Sequence, residues 1–156
     1  MALFKKPSFH FEPVVSEHRK HKGEVKLPAR GSKNACAYDF YAPADCVVFP
    51  HESKKMIWTD VKAILSPGYM LMLNVRSSLG KHLVSLANTQ GWIDSDYANN
   101  PDNDGNIGIM LHNGGNETYV VHAGDRIAQG MIVKYWLTDG DDAGQERQGG
   151  FGSTGK

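Results

Sequence analysis

Short strand-length runs punctuated by turn residues constrain this chain more than any other feature. Apolar or alternating stretches occupy residues 46–49, 56–59, 69–75, 107–111, 118–121 and 128–136, with Gly, Pro, Asn and Asp frequent between them. That spacing predicts an all-β sandwich or barrel. Ser66-Pro67-Gly68 supplies a turn between two of the runs. Phe9-His10-Phe11-Glu12-Pro13-Val14-Val15 reads as an edge strand ahead of a basic stretch. One helical turn is expected over residues 81–87, too short to stand alone.

The chain has 156 residues, which favours one domain with a real core. Its formal charge is zero, which argues against nucleic acid as a partner, since such domains are usually basic. The basic residues between Arg19 and Lys33 suit a solvated segment as well as a binding patch. No apolar run reaches membrane-span length, and the start lacks the apolar stretch of a signal peptide. No membrane partner is therefore expected, and the chain reads as cytoplasmic, in its own cell or in a host. Cys36 and Cys46 lack a zinc-like spacing and read as ordinary buried or half-buried thiols.

The chemistry concentrates between Arg76 and Tyr97. Arg76-Ser77-Ser78-Leu79-Gly80 offers charged donors, hydroxyls and a glycine that lets backbone approach an anion. Downstream, Gly91-Trp92-Ile93-Asp94-Ser95-Asp96-Tyr97 brings a carboxylate that would repel phosphate. Such an acid is better explained as holding a metal or aiming a water. Together the two segments suggest hydrolysis of a phosphate ester or anhydride. In a regular strand Asp94 and Asp96 would share a face and Tyr97 would oppose it, so a turn is needed to gather Asp94 and Tyr97.

Asn99-Asn100-Pro101-Asp102-Asn103-Asp104-Gly105-Asn106 reads as an extended hairpin loop, open to a protein partner. It resembles a calcium loop only superficially, because no helix flanks it and no closing Glu follows. From Gly140 the composition turns to Gly, Asp, Gln, Ser and Thr. The domain is therefore read as residues 1–139, and 140–156 as a flexible glycine-rich arm. Phe151 has no core to join there, which favours stacking on a ligand ring.

Five segments in order resemble the motifs of the trimeric deoxyuridine triphosphatases (dUTPases), of the phage or Gram-positive type. They are Cys36-Ala37-Tyr38-Asp39-Phe40-Tyr41-Ala42, Val75-Arg76-Ser77-Ser78-Leu79-Gly80, the Asp94 segment, Gly124-Asp125-Arg126-Ile127-Ala128-Gln129, and Gly149-Gly150-Phe151-Gly152-Ser153-Thr154-Gly155. The resemblance implies a distorted jelly-roll barrel of the β-clip kind, and hydrolysis of dUTP to dUMP and pyrophosphate with Mg2+. It implies Asp94 as the water-orienting base and Asp39 as the holder of a metal-bound water. Arg76, Ser77, Ser78, Gln129, Arg147, Ser153 and Thr154 would bind phosphates. Asn88 would read the uracil edge, Tyr97 would pack under the deoxyribose so that a 2′-hydroxyl clashes, and Phe151 would cover the base. A homotrimer with sites shared between subunits follows from the same resemblance.

Simpler roles remain open on the residues alone: Asp39 as a turn cap, Asn88 as a turn residue, Arg126 as a structural ion-pair partner. Departures from the family pattern are also visible. Phe40 stands where Leu is usual, Gly130 where an apolar residue is usual, and Arg147 one place later than the usual arginine. Two rivals deserve comparison. A dCTP deaminase needs a Glu on a strand by the site, and Glu117 is the one Glu in residues 107–119. A binding or regulatory protein on the same fold would use the 99–106 loop.

Overall fold

The computed structural model describes residues 6–150, so Phe151, Ser153 and Thr154 lie outside the described residues. Eleven strands are described: β1 (Phe9–Pro13), β2 (Tyr38–Tyr41), β3 (Cys46–Val48), β4 (Ser53–Trp58), β5 (Val61–Leu65), β6 (Tyr69–Asn74), β7 (Val84–Leu86), β8 (Gly91–Ile93), β9 (Gly108–Asn113), β10 (Tyr119–Val121) and β11 (Arg126–Lys134). A single α-helical turn, α1, spans Ser77–Gly80. No helix among the described residues is long and apolar enough to cross a membrane.

The strands form a four-stranded sheet ordered β2-β11-β6-β8, a three-stranded sheet β4-β9-β7, and the pairs β1-β5 and β10-β3. Every pairing is antiparallel. The jelly-roll expectation holds in this open, all-β arrangement, and β1 is an edge strand paired with β5. Alternation explains the core: Leu71 and Leu73 of β6, Ile109 and Leu111 of β9, and Val84 and Leu86 of β7 all point inward. Phe40 is fully buried among them. A Cβ on Gly130 would sit 2.8 Å from Leu71 Cδ1 and 3.0 Å from Phe40 Cε2. The larger residue at 40 therefore fills the space that the missing side chain at 130 leaves.

Three expectations change. The helical turn falls on Ser77–Gly80 rather than 81–87, and Val84–Leu86 is a strand. Its Val-Ser-Leu alternation suits pairing with β9 better than a helix face does. Cys36 is exposed rather than buried, because it lies outside the strands beside an open cavity.

The third change concerns the 99–106 loop, which is no extended hairpin. Asn100, Asn103, Asp104, Gly105 and Asn106 are all buried. Their polarity is consumed internally, as buried polar groups require. The Asn106 side chain exchanges hydrogen bonds with Asp60, and Asp104 pairs with the buried Lys62 at 3.0 Å. That ion pair answers the charge of Asp104 without calcium. With most of the loop turned inward, little of it remains to meet a protein partner.

Candidate active site

β8 ends at Ile93, and the chain turns at once: the Tyr97 amide donates to the Asp94 carbonyl at 3.1 Å. The turn breaks the strand alternation and gathers Asp94 and Tyr97 into one cavity with Asn88, Trp92 and Arg147. Leu73, Leu86 and Ile109 form its apolar floor. Asn88 sits at the β7–β8 corner, where Thr89 takes a φ of 64° and Gln90 donates to the Asn88 carbonyl at 2.7 Å. Asn88 is exposed and lines the cavity, and its side-chain amide makes no hydrogen bond among the described residues. The cavity thus combines a flat apolar slot, an amide and a carboxylate.

Tyr97 is the buried member of this set. Its hydroxyl donates to the Asn106 carbonyl and accepts from Asn103 Nδ2, each at 2.9 Å. Burial pushes its phenol above the ordinary value, partly offset by the Asn103 hydrogen bond. Asp94 is more than half exposed and ion-pairs with Arg147 Nη2, while Arg147 Nε reaches Asp96 Oδ1 at 2.9 Å. Asp96 thus helps to hold Arg147 against the cavity. Gly150 lies against the 99–106 loop, its amide 3.2 Å from Asp102 Oδ2.

A second cavity gathers Asp39, Arg76, Arg126 and Gln129. Sheet order explains it: Gln129 of β11 pairs with Asp39 of β2 on one side and Asn74 of β6 on the other. Asp39 is buried, with Oδ1 3.0 Å from Arg76 Nε and Oδ2 3.4 Å from Arg126 Nη1. Ser77 and Ser78 lie exposed on α1, directly after Arg76. The cavity offers two guanidinium groups and an amide to an anion, with one carboxylate among them. Arg126, left outside the site on sequence grounds, belongs to it; its place in the fourth motif was the available signal. Asn103 and Asn106 were also missed, since a polar loop gives no sign of folding back on an aromatic ring.

The predicted residues therefore fall into two groups. Asn88, Asp94, Tyr97 and Arg147 share one cavity, and Asp39, Arg76 and Gln129 share the other. Antiparallel register separates them: Ile93 pairs with Leu71, five residues before Arg76. Fully extended, those five residues would span up to about 17 Å. Glu117 lies exposed in a different groove, with His82 and Tyr119, so the carboxylate that a deaminase needs is absent from both cavities among the described residues.

An all-β domain with an amide-and-tyrosine slot, a carboxylate paired with an arginine and a second, arginine-rich cavity fits a nucleotide-hydrolase class of site. The family model for dUTPase matches residues 23–155. The deoxyuridine 5′-triphosphate nucleotidohydrolase of Lactococcus lactis subsp. lactis is 39% identical over 146 residues, covering 91% of this chain and 95% of that protein. The human mitochondrial protein of the same name is 36% identical over 148 residues, covering 91% of this chain and 53% of that longer protein. Among solved structures, the dUTPase from Streptococcus mutans superposes with a TM-score of 0.73 at 33% identity, over 83% of this chain and 98% of that one. An Asp-to-Asn mutant of the Staphylococcus bacteriophage 80alpha dUTPase, with dUpNHpp, shares the fold, with a TM-score of 0.66 at 20% identity over 88% and 97% of the two chains. This chain belongs to the dUTPase family.

Proposed function

We propose that the protein hydrolyses dUTP to dUMP and pyrophosphate, with Asp94 orienting the attacking water. The observation that carries this reading is the gathering of Asn88, Asp94 and Tyr97 in one cavity of a dUTPase-family chain. Asn88 presents an amide to the uracil edge, and a base with the wrong donor pattern would leave that amide unpaired. Tyr97 lies beneath the sugar. Asp94 takes the proton of a water whose oxygen attacks the α-phosphorus, and the bond to the bridging oxygen breaks to release pyrophosphate. Arg76, Ser77, Ser78 and Gln129 hold the phosphate chain, and Arg126 joins them. Donors on the leaving pyrophosphate stabilise charge as it develops.

Magnesium fits the second cavity as a hydrated ion. The Asp39 carboxylate has about four lone-pair sites, and the contacts to Arg76 and Arg126 account for two. The rest can accept from metal-bound water. Among the described residues no three His, Cys, Asp or Glu cluster around a common point. A hard ion that keeps its waters and rides on substrate phosphates suits that donor set. When bound, it neutralises phosphate charge that would otherwise repel the nucleophile.

The shared-site homotrimer is part of this proposal, and the register supports it. In an in-line displacement the attacking water and the leaving oxygen flank a single phosphorus. Asp94 and Ser77 must therefore both reach that atom. Within one chain their segments are up to about 17 Å apart, because Ile93 is aligned with Leu71. A second copy, offering its Arg76 cavity to this Asp94 cavity, closes the gap. Residues 140–156 complete the site as an arm, with Arg147, Ser153 and Thr154 on the phosphates and Phe151 over the base.

Incubation with magnesium and each of dUTP, dCTP, dTTP and UTP tests the proposal. Selective release of dUMP and pyrophosphate from dUTP, lost in Asp94→Asn, is the expected result. A folded trimer that leaves dUTP intact would overturn it, and ammonia released from dCTP would indicate deamination instead.

A further inference from the structure

The 99–106 loop is polar in sequence yet buried in the fold, and its contacts converge on Tyr97. Asn100 Nδ2 donates to the Tyr97 carbonyl at 2.7 Å. Asn103 Nδ2 donates to the Tyr97 hydroxyl, which itself donates to the Asn106 carbonyl. Gly105 has a φ of 81° and lies so close to the Tyr97–Ala98 peptide that a Cβ would fall 2.6 Å from Ala98 Cα. Tyr97 is thus held at its backbone and at the far end of its ring by one segment.

The loop is itself fixed from behind. Asn106 is tied to Asp60, which also accepts from the amides of Lys20 and His21. Asp104 pairs with Lys62 and accepts from the Val15 amide, and Asn106 Nδ2 donates to the His18 carbonyl. Residues 15–21 therefore strap the loop against β5. The chain of contacts runs from this strap, through Asp60 and Asp104, to Asn103 and Asn106, and ends on the Tyr97 hydroxyl.

We propose that Asn103 is a positioning residue that stiffens Tyr97 against the 2′-hydroxyl of a ribonucleotide. The inference rests on the dUTP-hydrolase reading above. Rejection by clash works only as well as the clashing ring resists displacement. A ring free to yield by a fraction of an ångström admits the extra hydroxyl; a ring tied at both ends excludes it. A bare turn between β8 and β9 would leave the hydroxyl of Tyr97 with no such brace. The eight residues of the loop supply it, and this is what their burial accomplishes.

The test compares kcat/KM for dUTP and UTP in the wild type, Asn103→Ala and Tyr97→Phe, with near-ultraviolet circular dichroism to verify folding. The expected result is a fall of about tenfold in the dUTP-to-UTP ratio in both variants, through a lower KM for UTP, with kcat on dUTP nearly kept in Asn103→Ala. A ratio unchanged in both variants, or equal losses on the two substrates, would mean a purely structural loop and would overturn the proposal. Asn103→Asp, which keeps the Oδ1 contacts to Asn100 and Gly105 and removes the donor to Tyr97, decides if Asn103→Ala does not fold. Wild-type protein inactive on dUTP would overturn the function reading itself, a result distinct from an active enzyme with an unchanged ratio.

Discussion

The Phe40 ring lies 3.0 Å from the point where a Cβ on Gly130 would stand. The two positions lie on adjacent strands, β2 and β11, and share one core volume. Each departs from the family pattern, in opposite directions of size. Gly130→Leu should overpack the core and destabilise by about 1–3 kcal/mol. Adding Phe40→Leu should restore most of that loss, as measured by urea denaturation of the two single variants and the double variant. Additive losses would show that the two residues do not share the volume.

Arg147 bridges Asp94 and Asp96, yet both carboxylates are more than half exposed, at 55% and 58%. Exposed pairs of this kind contribute about 0–1 kcal/mol. Arg147→Ala should therefore leave the denaturation midpoint nearly unchanged. Its cost should appear in turnover, as a fall of about tenfold in kcat/KM for dUTP when a charged phosphate contact is lost. A large stability loss with normal kinetics would assign Arg147 to structure alone.

The alkaline limb of stability should depend on Tyr97. Its phenol is raised by burial in the fold, whereas the unfolded side chain ionises near pH ~10. Below that pH both states are protonated and the residue adds no pH dependence. Above it the folded state holds the proton longer, so stability falls as pH rises through the folded value. Tyr119, also raised by burial, acts in the same direction. Tyr97→Phe should flatten the slope between about pH 9 and 11 without removing it, as read from denaturation midpoints across that range.

Separation of the two cavities gives a complementation test. Asp94→Asn and Arg76→Ala should each abolish turnover as pure assemblies. Co-refolded, they should regain part of the wild-type rate, because some sites then pair an intact Asp94 with an intact Arg76. Recovery of no activity, with mixed trimers verified by mass, would mean that both residues serve from one chain.

Short motifs were legible in the sequence because their chemistry is local. Arg76 with its two serines suggests an anion site, and Asp94 a water site, by residue type alone, whereas the pairing of Asp94 with Tyr97 came only from the family resemblance. The strand β5 was not legible: Lys62 interrupts its apolar run, and only the distant Asn99 and Asp104, with Glu12, explain how that lysine is buried. The 99–106 loop misled for a related reason. Asn and Asp signal solvent when each is considered singly, but here Asn100, Asn103 and Asn106 satisfy one another and Tyr97. Nor could spacing along the chain reveal that residues 76 and 94 lie far apart, since that depends on the β6–β8 register.

That register has a consequence for how the protein behaves in bulk. If each site joins the Asp94 cavity of one chain to the Arg76 cavity of another, as proposed, turnover per molecule should fall on dilution, as mass action dissociates the assembly. Specific activity then becomes a gauge of subunit concentration, and a substrate that bridges two chains should pull them together by binding.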